Sequence, residues 1–346
     1  MDISELLIFS NKQGASDLHI SSGEPPMLRI NGDMQKIDTP SLSKEEVHSL
    51  LYDILNDQQR KIFEENHEID FSIAFKDIAR FRVNAFVQSR GESAVFRTIP
   101  TKILTFQELG LPKTLEDISK NEKGLVLVTG PTGSGKSTTL AAMIDLINNE
   151  LKGHIITIED PIEFVHHSKQ CLISQRELGP HTHSFANALR AALREDPDII
   201  LVGEMRDLET IQLALTAAET GHLVFATLHT SSAPKTVDRV IDVFPPEQQE
   251  QVRAMFSESI QAVVTQTLLK RRDGKGRVAA LEIMIGTPAV RNLIREAKIS
   301  QIPSIIQTSQ KFGMQTMDQS IKELVQKNIV AKTEVMQLVS SPSVLA

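Results

Sequence analysis

Residues 130–137 read Gly-Pro-Thr-Gly-Ser-Gly-Lys-Ser, and this stretch decides the fold. It follows the apolar run Leu125 to Val128 and precedes a stretch with helical apolar spacing that begins at Thr138. A buried strand, a glycine-rich turn and a helix start are the context that distinguishes a phosphate-binding loop from a chance match. In such a loop the backbone N–H groups point at phosphate oxygens, and the helix N-terminus adds its positive dipole end. The stretch therefore indicates a nucleoside triphosphatase.

Each position of this loop has an expected role. Lys136 is expected to reach the outer phosphates, and the Ser137 hydroxyl is expected to ligate Mg²⁺. The predicted nucleotide-binding residues are Gly130, Pro131, Thr132, Gly133, Ser134, Gly135, Lys136, Ser137 and Thr138.

Length and composition narrow the class of protein. A chain of 346 residues is long enough for two domains. Its apolar content of 40% and charged content of 23% are typical of a soluble globular protein. The net charge is −7, from 37 basic and 44 acidic residues, so the surface as a whole should repel a phosphate backbone. Nucleic acid is therefore not an expected partner.

The cysteine content and the amino terminus bear on location. The single cysteine, Cys171, can form no intramolecular disulfide and no paired-cysteine zinc site, and is expected to be a buried thiol. The opening residues lack a basic leader, and no apolar run approaches the ~20 residues that span a bilayer. We expect a cytoplasmic protein without direct membrane insertion, whose contact with a membrane is made through a partner.

Residues 1–100 are predicted to form an α+β domain. Asn31-Gly32 is a turn signal between extended runs and predicts a hairpin. Ser43 with Glu46 three residues later predicts a capped helix start. Three later segments alternate apolar and polar residues, as strands with one buried face do: 70–75, 81–86 and 94–99.

Residues 101–123 are predicted to be a linker, and residues 124–346 a second domain. Near-continuous apolar runs separated by helical patterns are typical of parallel strands buried on both faces. We therefore predict an α/β fold with a parallel sheet between helices, a possible later strand at 281–285, and a helical region from about 288 to 346. The predicted parallel strands are 125–128, 155–158, 199–202 and 223–228.

Hydrolysis needs carboxylates near the phosphates, and two clusters are candidates. Glu204 follows the strand at 199–202, at the edge of a parallel sheet where ligands bind, whereas Asp198 precedes that strand and should lie at the opposite edge. Glu204 is therefore the candidate metal-side carboxylate, acting through water. Glu159, Asp160 and Glu163 follow the strand at 155–158, and one of them could act as a base.

Histidines and arginines supply further candidates. His222 and His229 flank the strand at 223–228, and Thr227 and His229 should lie at its carboxyl end. A cluster of four histidines could suggest a metal site: His166, His167, His181 and His183. Such a site is disfavoured, because no cysteine accompanies these histidines and none of them has helical i, i+4 spacing. The arginines that could stabilise transition-state charge are Arg190, Arg194, Arg80, Arg82 and Arg97.

The region 130–230 resembles the secretion ATPases of type II secretion and type IV pilus systems. Four stretches carry the resemblance: the phosphate-binding loop or Walker A, the Asp box at 157–163, the Walker B segment at 196–207 and the His box at 220–230. The pilus retraction branch is favoured because a long leading domain and a tetracysteine insertion are absent, and because 289–296 reads Ala-Val-Arg-Asn-Leu-Ile-Arg-Glu. That motif usually has Ile where this chain has Val290.

The resemblance implies a fold, an assembly and partners. It implies a RecA-like ATPase core preceded by a smaller PAS-like domain, in a homohexamer that hydrolyses ATP with Mg²⁺ to power type IV pilus retraction. Expected partners are the inner-membrane pilus platform protein and, as a further candidate, a paralogous retraction ATPase. The family assigns Glu163 as the catalytic glutamate, Glu204 as the Walker B glutamate, and His222 and His229 as the His-box pair.

Other functions share parts of this pattern. An accessory retraction paralogue or an extension ATPase would have the same core. A RecA-like DNA translocase would also resemble it, although the acidic balance argues against one. A nucleotide sensor without hydrolysis would not need the paired glutamates.

Overall fold

The computed structural model describes residues 2–30, 32–75, 79–99, 102–274 and 276–345 of the chain. The chain divides into two compact units, Met1–Lys102 and Ile103–Ala346. Within the described residues no helix combines the length and the apolar character needed to cross a membrane.

The first unit is a mixed α and β structure. Its sheet has the strand order β3-β2-β1-β6-β5-β4, with antiparallel neighbours throughout the pairs described. The elements in chain order are α1 (Ile3–Lys12), β1 (Asp17–Ser21), β2 (Met27–Ile30), β3 (Asp33–Lys36), α2 (Lys44–Tyr52), α3 (Asp57–Asn66), β4 (Glu68–Phe75), β5 (Ala79–Gln88) and β6 (Gly91–Ile99).

Local sequence signals explain several of these elements. Ile30 pairs with Asp33, so β2 and β3 form the predicted hairpin, although Asn31 of its turn lies outside the described residues. The capping box of Ser43 and Glu46 opens α2 as predicted. The core between helices and sheet includes Leu51 of α2 and Phe81 and Phe96 of the sheet.

The second unit contains the phosphate-binding loop. The elements in chain order are α4 (Phe106–Leu109), α5 (Lys113–Ser119), β7 (Gly124–Thr129), α6 (Lys136–Glu150), β8 (His154–Glu159), β9 (Leu172–Glu177), α7 (Phe185–Ala192), β10 (Ile199–Val202), α8 (Leu208–Glu219), β11 (Leu223–Leu228), α9 (Ala233–Asp242), α10 (Pro246–Ser259), β12 (Ile260–Lys270), β13 (Arg277–Ile285), α11 (Pro288–Arg295), α12 (Ile302–Thr308), α13 (Met317–Gln326) and α14 (Lys332–Val335).

The sheet of this unit confirms the predicted parallel architecture. Its order is β13-β12-β7-β11-β10-β8-β9, and all neighbours from β12 to β9 are parallel. Successive residues of β7 pack into different cores, with Leu125 and Leu127 on one face and Val126 and Val128 on the other. This alternation explains the near-continuous apolar runs, because helices cover both faces of the sheet.

Sequence reasoning missed two strands of this sheet. The edge strand β9 has the sequence Leu-Ile-Ser-Gln-Arg-Glu, which lacks an apolar run. The strand β12 begins directly at the end of α10, where Ile260 is the C-cap, so no glycine or loop marks the boundary. The later strand expected at 281–285 is the second half of β13, which pairs antiparallel with β12.

The segment predicted as a linker, 101–123, differs from the expectation. From residue 103 onward it belongs to the second unit and includes α4 and α5. Phe106, Leu115 and Ile118 are buried in the core beneath α6. Gly110 and Pro112 divide this segment into two short helices, and neither is long enough to show a clear helical period of apolar residues. The sequence pattern therefore did not predict this packing.

From Pro288 onward the described residues form helices and short 3₁₀ turns, apart from an isolated bridge between Gln315 and Ile283. Cys171 is buried, as expected, and burial raises the pKa of its thiol. Its Sγ lies 3.2 Å from the carbonyl oxygen of Leu151, to which the thiol donates.

The packing of α5 generates a stability prediction. Leu115 is 0% exposed, so Leu115→Ala should lower the free energy of unfolding by about 2–5 kcal/mol through lost burial and a residual cavity. Asp117→Ala on the exposed face of the same helix should change it by less than about 0.5 kcal/mol. Urea unfolding followed by circular dichroism measures both. If both substitutions changed the free energy of unfolding by the same small amount, the segment would be a linker and not part of the core.

Candidate active site

The phosphate-binding loop lies between the end of β7 at Thr129 and the start of α6 at Lys136. Gly130 has φ 136°, and a Cβ there would overlap the carbonyl oxygen of Gln266 on the neighbouring strand β12. Gly135 has φ 89° and is the N-cap of α6. Both positions therefore require glycine, for close backbone approach in one case and for left-handed geometry in the other.

The start of α6 is suited to an anion. The helix is 15 residues long, its N-cap makes no side-chain hydrogen bond, and its first turn contains no acidic residue. The N–H groups of the first turn and the positive end of the helix dipole are consequently available to a ligand. The predicted residues from Gly130 to Thr138 all lie in this loop and first turn.

Lys136 contacts the carbonyl oxygens of the loop. Its Nζ donates to Gly130 O at 2.8 Å and to Pro131 O at 3.1 Å, and the residue is 9% exposed. Burial lowers the pKa of Lys136, while the negative charges of Glu204 and Glu163 act in the opposite direction. Because both glutamates influence this ammonium group, the two predicted acidic residues and the loop form one electrostatic site.

Glu204 follows β10 at the carboxyl edge of the sheet. Its Oε1 lies 2.7 Å from Arg206 Nε and 3.2 Å from His229 Nε2. Burial alone would raise the pKa of Glu204, but the hydrogen bond from Arg206 and the charges of His229 and Arg206 lower it overall. Arg206 and His229 therefore hold Glu204 in its ionised form. Sequence reasoning overlooked Arg206, although its position two residues after Glu204 was a usable signal.

Glu163 lies in a turn that is fixed to β9. The Asp160–Pro161 peptide is cis. On either side of Glu163, Ile162 N donates to Glu177 Oε2 at 3.1 Å, and Phe164 O accepts from Gln175 Nε2 at 2.9 Å. Ile162 and Phe164 are buried, so the Glu163 side chain between them is exposed.

Glu159 occupies a different environment in the same acidic cluster. Its Oε1 accepts from the Thr157 hydroxyl at 2.6 Å and from Gln175 Nε2 at 3.1 Å. Burial raises the pKa of Glu159, although these bonds and one from the backbone of Glu163 act against the rise. Glu159 is therefore bonded within the turn, whereas the side chains of Asp160 and Glu163 are exposed.

The two predicted histidines lie at opposite ends of the strand β11. His229 follows β11 at the carboxyl end and contacts Glu204, whereas His222 precedes β11. A strand of this length separates them by about 20 Å. His222 Nδ1 lies 3.0 Å from Ala217 O, at the end of α8. The structure thus brings His229, but not His222, to the phosphate-binding loop of the same chain. Asp198 also lies at the opposite edge, as expected, and accepts from His154 N at 2.8 Å.

The candidate arginines have partners elsewhere or remain exposed. Arg97 Nε lies 3.0 Å from Asp17 Oδ1, and Arg82 Nε lies 3.7 Å from Asp70 Oδ1, all within the first unit. Arg190 pairs with Glu209. Arg80 also has an interaction partner, and Arg194 is exposed on the residues following α7.

A groove of about 760 Å³ adjoins the loop within the second unit. Gly135, Thr138 and Thr139 line it on the loop side. Leu109, Leu268 and Val278 give it apolar walls. Charged and amide side chains also line it, so its surface is mixed polar and apolar. A groove of this kind beside a phosphate-binding loop suits the base and sugar of a nucleotide.

The histidines between 166 and 183 form no metal site in the described residues, where no group of three or more potential ligands is found. His181 Nδ1 accepts from Glu177 N at 2.9 Å. His166 is buried, and burial lowers its pKa from 6.5 to about 4, with the nearby Lys169 and His167 adding to the effect and Asp145 opposing it. His166 is therefore a neutral core residue.

The buried His166 predicts a pH dependence of stability. The unfolded chain binds more protons than the folded chain between pH 6.5 and about 4, so stability is lost as pH falls through that window. In the wild type this histidine should lower the free energy of unfolding by up to about 3 kcal/mol between pH 6.5 and about 4, and His166→Gln should abolish that loss. His167→Gln, at the exposed neighbouring position, should behave like the wild type. Urea unfolding at several pH values gives the comparison. Parallel curves for wild type and His166→Gln would contradict it.

Comparison with known proteins places this geometry in a family. Residues 3–337 match the type II/IV secretion system protein family. The chain is 63% identical over 342 residues to the type IV pilus retraction ATPase PilT of Pseudomonas aeruginosa, covering 99% of each chain. It is 42% identical over 324 residues to the type IV pilus ATPase PilU of the same organism, covering 94% of this chain and 85% of PilU.

A solved structure agrees with these matches. The crystal structure of the pilus retraction motor PilT with bound ADP superimposes with a TM-score of 0.92 at 46% identity, covering 99% of this chain and 98% of that chain. The superposition confirms the expected fold, a RecA-like ATPase core after a smaller amino-terminal domain. The chain belongs to the type II/IV secretion system protein family.

Proposed function

We propose that this chain is an ATP-hydrolysing motor that powers type IV pilus retraction, the depolymerisation of pilin that drives twitching motility. The observation that carries the proposal is that the phosphate-binding loop, Glu163 and Glu204 follow the parallel strands β7, β8 and β10 at the same end of one sheet. The greater similarity to the retraction ATPase than to PilU favours the retraction role.

In this proposal ATP binds along the loop and the adjoining groove. The loop amides and the first turn of α6 receive the phosphates, and the groove beside Thr138 and Leu268 receives the base. Lys136 would leave the carbonyl oxygens of Gly130 and Pro131 and bond to phosphate oxygens instead. This exchange keeps the ammonium group hydrogen-bonded before and after binding.

Mg²⁺ fits the donors present at the loop. Ser137 contributes a hydroxyl, and Glu204 contributes a carboxylate whose lowered pKa keeps it ionised. Hard oxygen donors of this kind, with intervening water, are those that Mg²⁺ prefers. Ser137 and Glu204 would hold the ion, and a bound Mg²⁺ would supply positive charge against the phosphates.

The side chains at the sheet edge would then assist hydrolysis. Glu163 is exposed, on a turn held by β9, and is the candidate to orient the attacking water and take its proton. His229 and Arg206 hold Glu204 in place through its Oε1. A role for His222 would require a ligand or neighbouring subunit at the opposite edge of the sheet.

The proposed assembly is a homohexamer at the cytoplasmic side of the inner membrane. Its proposed partners are the pilus platform protein and a paralogous retraction ATPase. Family membership supports these proposals. An accessory paralogue or an extension ATPase is the alternative within the family, and a DNA translocase is disfavoured by the net charge of −7.

Substitutions in the loop and the acidic residues test the site. Lys136→Ala should abolish ATP hydrolysis, because the outer phosphates lose their cation. Lys152→Ala, at an exposed position just after α6, should retain the wild-type rate. Glu163→Gln and Glu204→Gln should each lower kcat by at least about 100-fold with nucleotide binding largely kept. Phosphate release and binding of a fluorescent ADP analogue are the measurements. Glu219→Gln, at the exposed end of α8 away from the phosphate-binding loop, is the matched control for both glutamate variants.

The same assays separate the rival functions. Wild-type rates in Lys136→Ala would refute the site. A wild-type protein without phosphate release would indicate a nucleotide sensor, and steeply salt-dependent stimulation by DNA would indicate a translocase.

A cellular experiment tests the direction of the motor. Deletion of the gene should leave excess pili that do not retract, with loss of twitching, because depolymerisation stops while assembly continues. Complementation with Glu219→Gln should restore twitching, and complementation with Lys136→Ala should not. A deletion strain without pili would instead indicate an extension ATPase, and one with retained twitching would indicate an accessory paralogue.

A further inference from the structure

Gln266 of β12 is a buried side chain that bonds to the phosphate-binding loop at two points. It is 2% exposed. Its Nε2 donates to Ser134 O at 2.7 Å, and its Oε1 accepts from the Thr139 hydroxyl at 2.8 Å. One amide group thus joins the outer part of the loop to the first turns of α6, and both of its polar ends are satisfied.

The bond to Ser134 fixes the orientation of a peptide plane. A trans peptide is planar, so its C=O and N–H point in opposite directions. With the Ser134 carbonyl directed at Gln266, the N–H of Gly135 is directed away from β12, towards the side of the loop that receives phosphate. Gly135 has φ 89° and no Cβ, so its own conformation gives little resistance to reversal of this peptide.

The same stretch of β12 packs against the rest of the loop. The carbonyl oxygen of Gln266 occupies the space that a Cβ on Gly130 would need. The side-chain Nε2 of Gln266 would lie 2.8 Å from a Cβ on Gly135. One residue earlier, Thr265 Oγ1 lies 2.8 Å from Thr129 Oγ1 at the end of β7. The strand is therefore a rigid support beneath a turn rich in glycine.

We propose that Gln266 is a positioning residue for nucleotide binding: it holds the 134–135 peptide with its N–H towards the phosphates before the nucleotide arrives. The proposal rests on the proposed ATP site. Because this peptide then needs no reorientation on binding, the benefit should be in nucleotide affinity and KM, with little effect on kcat at saturation.

A substitution of Gln266 and a matched control on the same strand test this role. Gln266→Met keeps the volume and removes both bonds, and should weaken binding of methylanthraniloyl-ADP by about tenfold and raise KM for ATP similarly. Gln261→Met is the matched control, because Gln261 lies on the same strand and its Nε2 donates to Lys123 O at 2.9 Å, at the opposite edge of the sheet. It should leave Kd, KM and kcat unchanged.

Gln266→Glu adds a pH readout. At about pH 8 a carboxylate would face the Ser134 carbonyl and the incoming phosphates, so affinity should be lower than in Gln266→Met. A buried carboxyl group has a raised pKa, and its protonated form can donate to Ser134 O. Affinity should therefore recover as pH falls towards about 6, whereas Gln266→Met should show no such recovery.

The outcomes are distinguishable. Failure of wild type and Gln261→Met to bind the ADP analogue would refute the ATP site itself. Wild-type affinity in Gln266→Met, or an equal loss in Gln261→Met, would overturn the positioning role alone. Should Gln266→Met fold poorly, Thr139→Val removes the bond to Oε1 from the other side. It should weaken binding in the same direction, and unchanged binding in that variant would also overturn the proposal.

Discussion

The site depends on one constraint: a turn that surrounds a phosphate must expose its N–H groups inward, and so cannot satisfy them within itself. The turn from Gly130 to Gly135 meets this constraint with left-handed glycine backbone and an uncapped helix start, and within it only Ser134 N donates internally, to Pro131 O, among the bonds described. Such a backbone is flexible by composition, so its shape must be held from outside. The carbonyl and side chain of Gln266 provide this support from the neighbouring strand.

Parallel pairing accounts for the rest of the site. Because β8, β10, β11 and β7 run in one direction in adjacent positions, their carboxyl ends meet at one edge of the sheet. Glu204 and His229 follow neighbouring strands there and share a contact through Glu204 Oε1. The charges are mutually dependent: Glu204 and Glu163 oppose the effect of burial on Lys136, and Arg206 and His229 keep Glu204 ionised.

Several parts of the fold and site were predictable because their signals are local. The loop, the parallel strands 125–128, 155–158, 199–202 and 223–228, and the positions of Glu204 and His229 at strand ends follow from residue order and apolar runs. The packing of α4 and α5 and the strand β12 were not predictable from such patterns. Phe106 and Leu115 are buried through contacts with distant residues, and β12 begins without a loop after α10.

The sequence by itself determined the loop, the direction of the sheet and the family resemblance, because each depends on residues close together in the chain or on runs of one residue class. Only the tertiary structure showed that Glu159 is bonded within the turn while Glu163 is exposed, and that His229 contacts Glu204. It also showed that Gln266 donates a hydrogen bond to a loop about 130 residues earlier in the chain. These distinctions depend on burial and on contacts between distant segments, which a linear pattern does not encode.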